Sequence, residues 1–222
     1  MTNAPRILIT AGPTHEPIDA VRFIGNRSSG RLGLELARAA HDRRLPVTLL
    51  LGPTHLEPSS SHATVIRFRS TADLQALLDD HFPHCDILIM AAAVADYRPT
   101  TIASPHQKLT RENRKLTIEL ESTPDLLAGC ASKRSPAQTL VGFALEPRER
   151  LHDSARSKLK RKAVDAIVAN PLDTMESPSI EATIHWAHGA TDTTGEAPIP
   201  KSDFAPWLLD HILEHHAARA TR

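Results

Sequence analysis

Six short runs in this chain are near-continuously apolar, and that pattern constrains its fold more than any other feature. They are Arg6–Thr10 (R-I-L-I-T), Pro46–Leu51 (P-V-T-L-L-L), Ala63–Phe68 (A-T-V-I-R-F), Asp86–Ala93 (D-I-L-I-M-A-A-A), Gln138–Phe143 (Q-T-L-V-G-F) and Asp165–Ala169 (D-A-I-V-A). Successive residues of a strand point to opposite faces, so a run without polar alternation has two faces to bury. Helical patterns lie between them. Leu32, Leu36 and Ala40 share one face of a helix opening near Gly30, where Ser28 or Ser29 can cap it. Leu74, Leu77 and Leu78 share another, with Ser70 or Thr71 as the cap. Strands buried on both faces and alternating with helices form a doubly wound, mostly parallel α/β sheet.

The rest of the chain decorates that sheet. Asp96–Asn113 carries two prolines and several cations without periodicity, a connection long enough to act as a lid. Lys115–Glu121 (K-L-T-I-E-L-E) alternates strictly and reads as a half-exposed edge or projecting strand. Thr123, Pro124 and Asp125 form a helix start, with Thr as cap and Pro in the first position. Pro147–Lys162 is a strongly basic helix with Lys158 and Lys162 four apart on one face. Glu181–Trp186, a return strand within His188–Pro200, and an amphipathic helix over Lys201–Ala218 complete a single 222-residue domain.

Charge excludes some functions. The 26 lysines and arginines balance 26 acidic residues, so no bulk field favours nucleic acid or an anionic membrane. No run approaches the ~18 apolar residues of a membrane span, and the N-terminal run is too short for a signal peptide. Cys85 and Cys130 make no CxxC pair, which suits a reducing cytoplasm. The 13 histidines are scattered without metal-ligand spacing and read as mostly surface residues.

The chemistry concentrates in Val21–Gly33, V-R-F-I-G-N-R-S-S-G-R-L-G, directly ahead of the first helix. Its three glycines, two serines and one asparagine let backbone N–H groups approach an anion at a helix N-terminus. It matches neither the dinucleotide fingerprint nor the Walker loop, so a plain strand-to-helix turn stays open as the alternative. The small residues Ala91–Ala93, with Asp96, end one strand and Asn170 ends another. In a parallel sheet those ends converge at the carboxyl edge. With cations from the lid and the basic helix they suit a polyphosphate ligand, commonly accompanied by magnesium. A solvated charged face is the equal alternative for the basic helix.

These motifs occur in order: T-A-G-P-T-H-E-P-I-D, the N-x-S-S-G stretch, A-A-A-V-A-D-Y-R-P, S-T-P-D-L-L, V-G-F-A-L-E, K-L-K-R-K and D-A-I-V-A-N. Over roughly residues 6 to 215 the chain closely resembles the phosphopantothenate–cysteine ligase family of coenzyme A biosynthesis. The resemblance implies a Rossmann-like fold and a ligase acting on 4′-phosphopantothenate and L-cysteine with a nucleoside triphosphate. CTP is expected over ATP because V-A-D-Y-R-P looks bacterial, and Mg2+ is expected with it. A cytoplasmic homodimer is also implied. In many bacteria the domain follows a flavin-dependent decarboxylase, for which this chain has no room, so it resembles a stand-alone ligase.

Site roles carry over along the motifs. Gly12, Ser28, Gly30 and Gly33 match a phosphate-cradling loop. Asn26 matches the amide facing the substrate carboxylate and the acyl nucleotidylate. Met90, Ala91, Ala92, Ala93 and Asp96 match a strand end shared by nucleotide and pantothenate. Pro124, Asp125, Leu126, Leu127, Phe143, Lys158, Lys162 and Asn170 match further nucleotide contacts, and Arg22 matches a residue serving the neighbouring subunit. The lid departs from the family's K-x-K-K. Here H-Q-K-L-T puts His106 at the usual lysine and leaves Lys108 to take over the amide-forming step.

Overall fold

The computed structural model describes residues 4–58, 63–100, 108–110, 115–195 and 197–220. In chain order the strands are β1 (Ile7–Ala11), β2 (His15–Pro17), β3 (Phe23–Gly25), β4 (Val47–Leu51), β5 (Thr64–Arg67), β6 (Ile87–Met90), β7 (Tyr97–Pro99), β8 (Leu120–Ser122), β9 (Thr139–Glu146), β10 (Ala166–Pro171), β11 (Ser179–Ile180), β12 (Thr183–Trp186), β13 (Thr191–Thr193) and β14 (Ile199–Pro200). The helices are α1 (Arg31–Asp42), α2 (Thr71–His81), α3 (Leu126–Lys133), α4 (Leu151–Lys162) and α5 (Lys201–Ala220).

The six apolar runs become the six parallel strands of an eight-stranded sheet, ordered β13-β12-β10-β9-β6-β1-β4-β5. Only β12 and β13 pair antiparallel within it. Both faces are covered, which explains the missing alternation. Ile7, Ile9, Leu49, Ile87, Ile89 and Val168 meet α1 and α5 through Leu36, Ala40, Phe204, Leu208 and Ile212. Leu8, Leu50, Leu88, Leu140 and Ile167 meet α2, α3 and α4 through Leu74, Leu78, Leu126 and Leu151. From β1 the chain winds one way through β4 and β5, then returns to β1's other side with β6. The crevice at such a reversal, beyond the carboxyl ends of the strands, is where open α/β sheets bind ligands.

Several local expectations are corrected. Between β1 and α1, where the sequence shows no strand pattern, the chain forms the β2–β3 hairpin, which pairs His15 with Gly25. Helix α1 is not capped by a serine side chain. Gly30 is the N-cap in a left-handed conformation, φ 73°, and Ser28 and Ser29 reach only 3.4 Å from the nearby N–H groups. For α3 the cap is Asp125, accepting from the Ala128 N–H, so Thr123 and Pro124 precede the helix. The strand expected over Lys115–Glu121 shrinks to Leu120–Ser122, which pairs with Tyr97–Pro99 outside the main sheet. Of the lid, residues 101–107 and 111–113, including His106, lie outside the described residues.

The histidines are less superficial than their scatter implied. His185 is buried and 3.1 Å from His152, while His215 stacks on Trp186. Both cysteines are free and buried, and burial pushes the Cys85 thiol up to about 12 and the Cys130 thiol to about 11. Neither is a thiolate at neutral pH, so neither is a nucleophile.

Candidate functional site

At the reversal between β1 and β6 lies a cleft of about 750 Å³. Its floor is the strand-end segment Met90–Val94, and its walls are Gly25–Gly33, Thr123–Leu127, Phe143 and the inner face of α4. Buried threonines from β1 and its following loop hold the floor. Thr10 Oγ1 accepts the Ala92 N–H at 3.1 Å and Thr14 Oγ1 accepts the Ala95 N–H at 2.9 Å. The Ala93 N–H donates to the Gly12 carbonyl at 2.9 Å. Small side chains above a pinned backbone leave room for a ligand beside the sheet.

Asn26 joins the glycine-rich wall to that floor. Its amide nitrogen donates to the Val94 carbonyl at 2.9 Å, with Ala93 O farther away at 3.4 Å. Ser28, Gly30 and Gly33 also line the cleft. The glycines differ in kind. Gly30 takes a positive φ that ordinary residues rarely adopt, turning the chain so α1 begins at the cleft. Gly33 has its missing side chain consumed elsewhere, because a Cβ there would overlap the Ala11 side chain. Gly12 does not line the cleft; it sits behind the wall with φ 80°, and a Cβ on it would come within 3.3 Å of the Gly52 backbone. With no side-chain cap, and only long 3.4 Å bonds from the Gly30 and Arg31 N–H groups to Ser28 and Ser29, this helix start at the cleft favours an anion.

The opposite wall is basic and, in part, internally balanced. Lys158, Arg161 and Lys162 line the cleft from α4. Lys158 donates to Glu146 at 2.8 Å, and Ser154 donates to the same carboxylate oxygen. The Lys158 hydrogen bond is the largest influence holding the Glu146 carboxyl below its ordinary range. Lys162 pairs with Asp125 at 2.9 Å. Burial works against the Asp125 carboxylate, but Lys162 and the Ala128 N–H outweigh it and keep its acidity enhanced. Each lysine is thus oriented before any ligand arrives. Met90, Ala91, Ala92, Ala93, Asp96, Pro124, Leu126, Leu127, Phe143 and Asn170 all line the same cleft. Gly142 lets Leu127 approach, since a Cβ there would overlap the leucine side chain.

Two further expected site residues stand apart. Arg22 pairs with the buried carboxylate of Asp19 and reaches the Leu109 carbonyl at 3.3 Å. Leu109 in turn donates its N–H to Asp19 at 3.0 Å. Lys108 is exposed beside it, and neither Lys108 nor Arg22 lines the cleft. Thr10, Thr14, Glu146, Arg161 and Lys201 are site residues that sequence reasoning missed. Lys158–Glu146 falls at a twelve-residue separation and Thr10–Ala92 at eighty-two, so no local pattern announces them. Among the described residues no group of three or more histidines, cysteines or carboxylates could hold a metal ion.

A family model for the DNA/pantothenate metabolism flavoprotein C-terminal domain matches residues 2–215. The chain is 40% identical over 188 residues to the coenzyme A biosynthesis bifunctional protein CoaBC of Vibrio cholerae, covering 83% of this chain and 47% of that protein. It is 47% identical over 170 residues to a protein named cysteine/cysteine sulfinic acid decarboxylase from an unknown prokaryotic organism, covering 77% and 46%. The chain therefore spans about half the length of these curated relatives. Among solved structures, the C-terminal domain of a CoaBC superposes with a TM-score of 0.78 at 34% identity, covering 94% of this chain and 93% of that one. A DNA/pantothenate metabolism flavoprotein from Streptococcus pneumoniae gives a TM-score of 0.81 at 25% identity, covering 96% and 100%.

Proposed function

From the premise that this chain belongs to the family of the DNA/pantothenate metabolism flavoprotein C-terminal domain, we propose that it is a phosphopantothenate–cysteine ligase of coenzyme A biosynthesis, using CTP. The observation that carries this reading is one cleft at the sheet reversal joining an uncapped helix start, a fixed asparagine amide and oriented lysines. Such a site binds and orients a polyphosphate beside a carboxylate, and holding reactants in line removes much of the entropic barrier.

In the first step a carboxylate oxygen of 4′-phosphopantothenate attacks the α-phosphorus of CTP. The bond to the bridging oxygen breaks, and pyrophosphate leaves with its electron pair. In the second the cysteine amine attacks the acyl carbon, the acyl–oxygen bond breaks, CMP leaves and the amine's proton goes to solvent. Ser28, Gly30 and the N–H groups opening α1 would hold phosphate. Asn26 is an uncharged donor, so it would polarise the carboxyl without trapping it in an ion pair. Phe143, Leu126 and Leu127 offer apolar surface for the base, with Pro124, Asp125, Lys158, Lys162 and Asn170 around the nucleoside.

Magnesium fits this donor set as an ion carried on the phosphates, since Mg2+ is commonly held by one or two carboxylates plus substrate oxygens. Asp96 and Glu176 are the cleft carboxylates that pair with no lysine among the described residues, and either would hold it together with phosphate oxygens. When bound, it would neutralise phosphate charge. Lys108 would enter in amide formation, from a lid anchored through Leu109. Arg22 would serve a second copy of the chain. Beside it Val21 and Phe23, with Tyr97 and Leu116, leave large apolar surfaces exposed at 62%, 49%, 56% and 66%, which supports a homodimer. No described helix is long and apolar enough to cross a membrane, and the reading puts the enzyme in the cytoplasm with its small-molecule substrates.

A coupled pyrophosphate-release assay with 4′-phosphopantothenate and cysteine tests the reading, run in parallel with CTP and ATP. Release with CTP, matched by amide product, is expected. Release only with ATP would replace the nucleotide, and no release with either would sink the ligase reading.

A further inference from the structure

Lys201 is the first residue of α5 and is only 8% exposed, yet it lines the cleft. Its ammonium makes one hydrogen bond, to the Thr174 carbonyl, at a long 3.4 Å. Among the described residues no carboxylate pairs with it, in contrast to Lys158 and Lys162 on the facing helix. Burying a charge without a counter-charge is costly, and a lysine has three donors to satisfy. Burial, and then the positive charge of Arg31, pull the Lys201 ammonium below lysine's ordinary range. Arg31 also lines the cleft and is the first residue of α1.

The topology explains why these cations meet. Helix α1 leaves the carboxyl end of β1, and α5 opens after β14, whose partner β11 follows the carboxyl end of β10. The two helices pack side by side on one face of the sheet, with Arg43 at the end of α1 bonded to Asp210 midway along α5. They therefore run parallel, and their positive dipole ends open together at one end of the cleft. Two like charges and two helix starts form an arrangement that is unfavourable empty and favourable around an anion.

We propose that Lys201, with Arg31 and the start of α1, binds the leaving pyrophosphate end of the nucleoside triphosphate. The ligand's identity rests on the ligase reading above; the anion subsite itself rests on the geometry. Leu126 and Leu127 line the cleft from α3, on the sheet face opposite α1 and α5, and offer the base an apolar place away from the two cations. Negative charge builds on the bridging oxygen as the bond to the α-phosphorus breaks, and a desolvated ammonium there stabilises that charge more than water would.

Isothermal titration of the full chain with pyrophosphate, CTP and CMP tests this, using wild type, Lys201→Met and Arg31→Met. Methionine keeps an unbranched stem of similar length in the buried channel. Lys201→Met should weaken pyrophosphate and CTP binding by about tenfold or more, the scale of a lost charge-assisted hydrogen bond, and leave CMP within about twofold. Arg31→Met, on the exposed side, should show the same selectivity at smaller size and covers the case in which the buried variant fails to fold. Unchanged pyrophosphate binding in a folded Lys201→Met variant, or an equal loss for CMP, would overturn the assignment. If only Arg31→Met folds, its unchanged pyrophosphate binding would do so. Wild type that binds pyrophosphate but not CTP would keep the subsite and remove CTP as the nucleotide. Wild type that binds neither would remove both.

Discussion

Two glycines make opposite predictions. A methyl group at Gly33 would overlap Ala11, so Gly33→Ala must push α1 away from β1 or strain the strand. It should lower unfolding stability by about 1–3 kcal/mol in a denaturant titration. Gly129, inside α3, has nothing within 4 Å of where a Cβ would stand. Gly129→Ala should raise stability by about 0.5–1 kcal/mol, because glycine loses the most backbone entropy in a helix. Asp19 gives a pH prediction. Burial alone would raise its carboxyl, but backbone N–H groups of Val21, Arg22 and Leu109 and the Arg22 guanidinium pull it down to about 2 from 3.8. A depressed carboxylate adds stability above its unfolded value and loses it as pH falls through the folded one. Wild type should therefore lose stability between about pH 4 and pH 2, and Asp19→Asn should flatten that part of the profile. An unchanged slope would show that Asp19 is not the group responsible. At this scale the sequence exposes residues that act through a local pattern, such as Asn26, Ser28 and Gly30. It hides those completed from far along the chain: Thr10 and Thr14 under the alanine segment, Glu146 on Lys158, and Lys201 beside Arg31.

Helix starts show the same division. Ser70 caps α2 with a reciprocal bond from Asp73, a four-residue signal fully visible in the sequence. Ser70→Ala should cost about 1 kcal/mol, read as a shift in denaturant midpoint. The start of α3 was harder to place because Thr123, Pro124 and Asp125 each favour a first turn. Asp125 takes the cap, where it also holds Lys162. Replacing it with alanine should therefore reduce stability and raise the KM for nucleotide together. A loss of stability with unchanged KM would separate the cap from the site. The projecting strand was misplaced because Lys115–Glu121 alternates without a buried face to fix its register. Its partner Tyr97–Pro99 pairs only with the final residues Leu120–Ser122.

For the molecule as a whole, the doubly wound sheet was legible because apolar runs without alternation admit few other arrangements. The order of those strands was not, since a sequence does not state on which side of β1 the strand β6 will lie. That choice creates the crevice and hence the site. The exposed apolar residues Val21, Phe23 and Tyr97 make a further prediction: sedimentation should show a dimer, and Phe23→Asp should shift it toward monomer. The central claim is that a carboxylate is activated on the α-phosphorus of a nucleotide in this cleft. The most direct measurement uses 4′-phosphopantothenate labelled with heavy oxygen in its carboxylate, CTP and cysteine, with products read by mass spectrometry. An acyl-nucleotidylate route predicts that one labelled oxygen moves into CMP as the amide forms. Label in inorganic phosphate, or amide formed with no label in CMP, would contradict it.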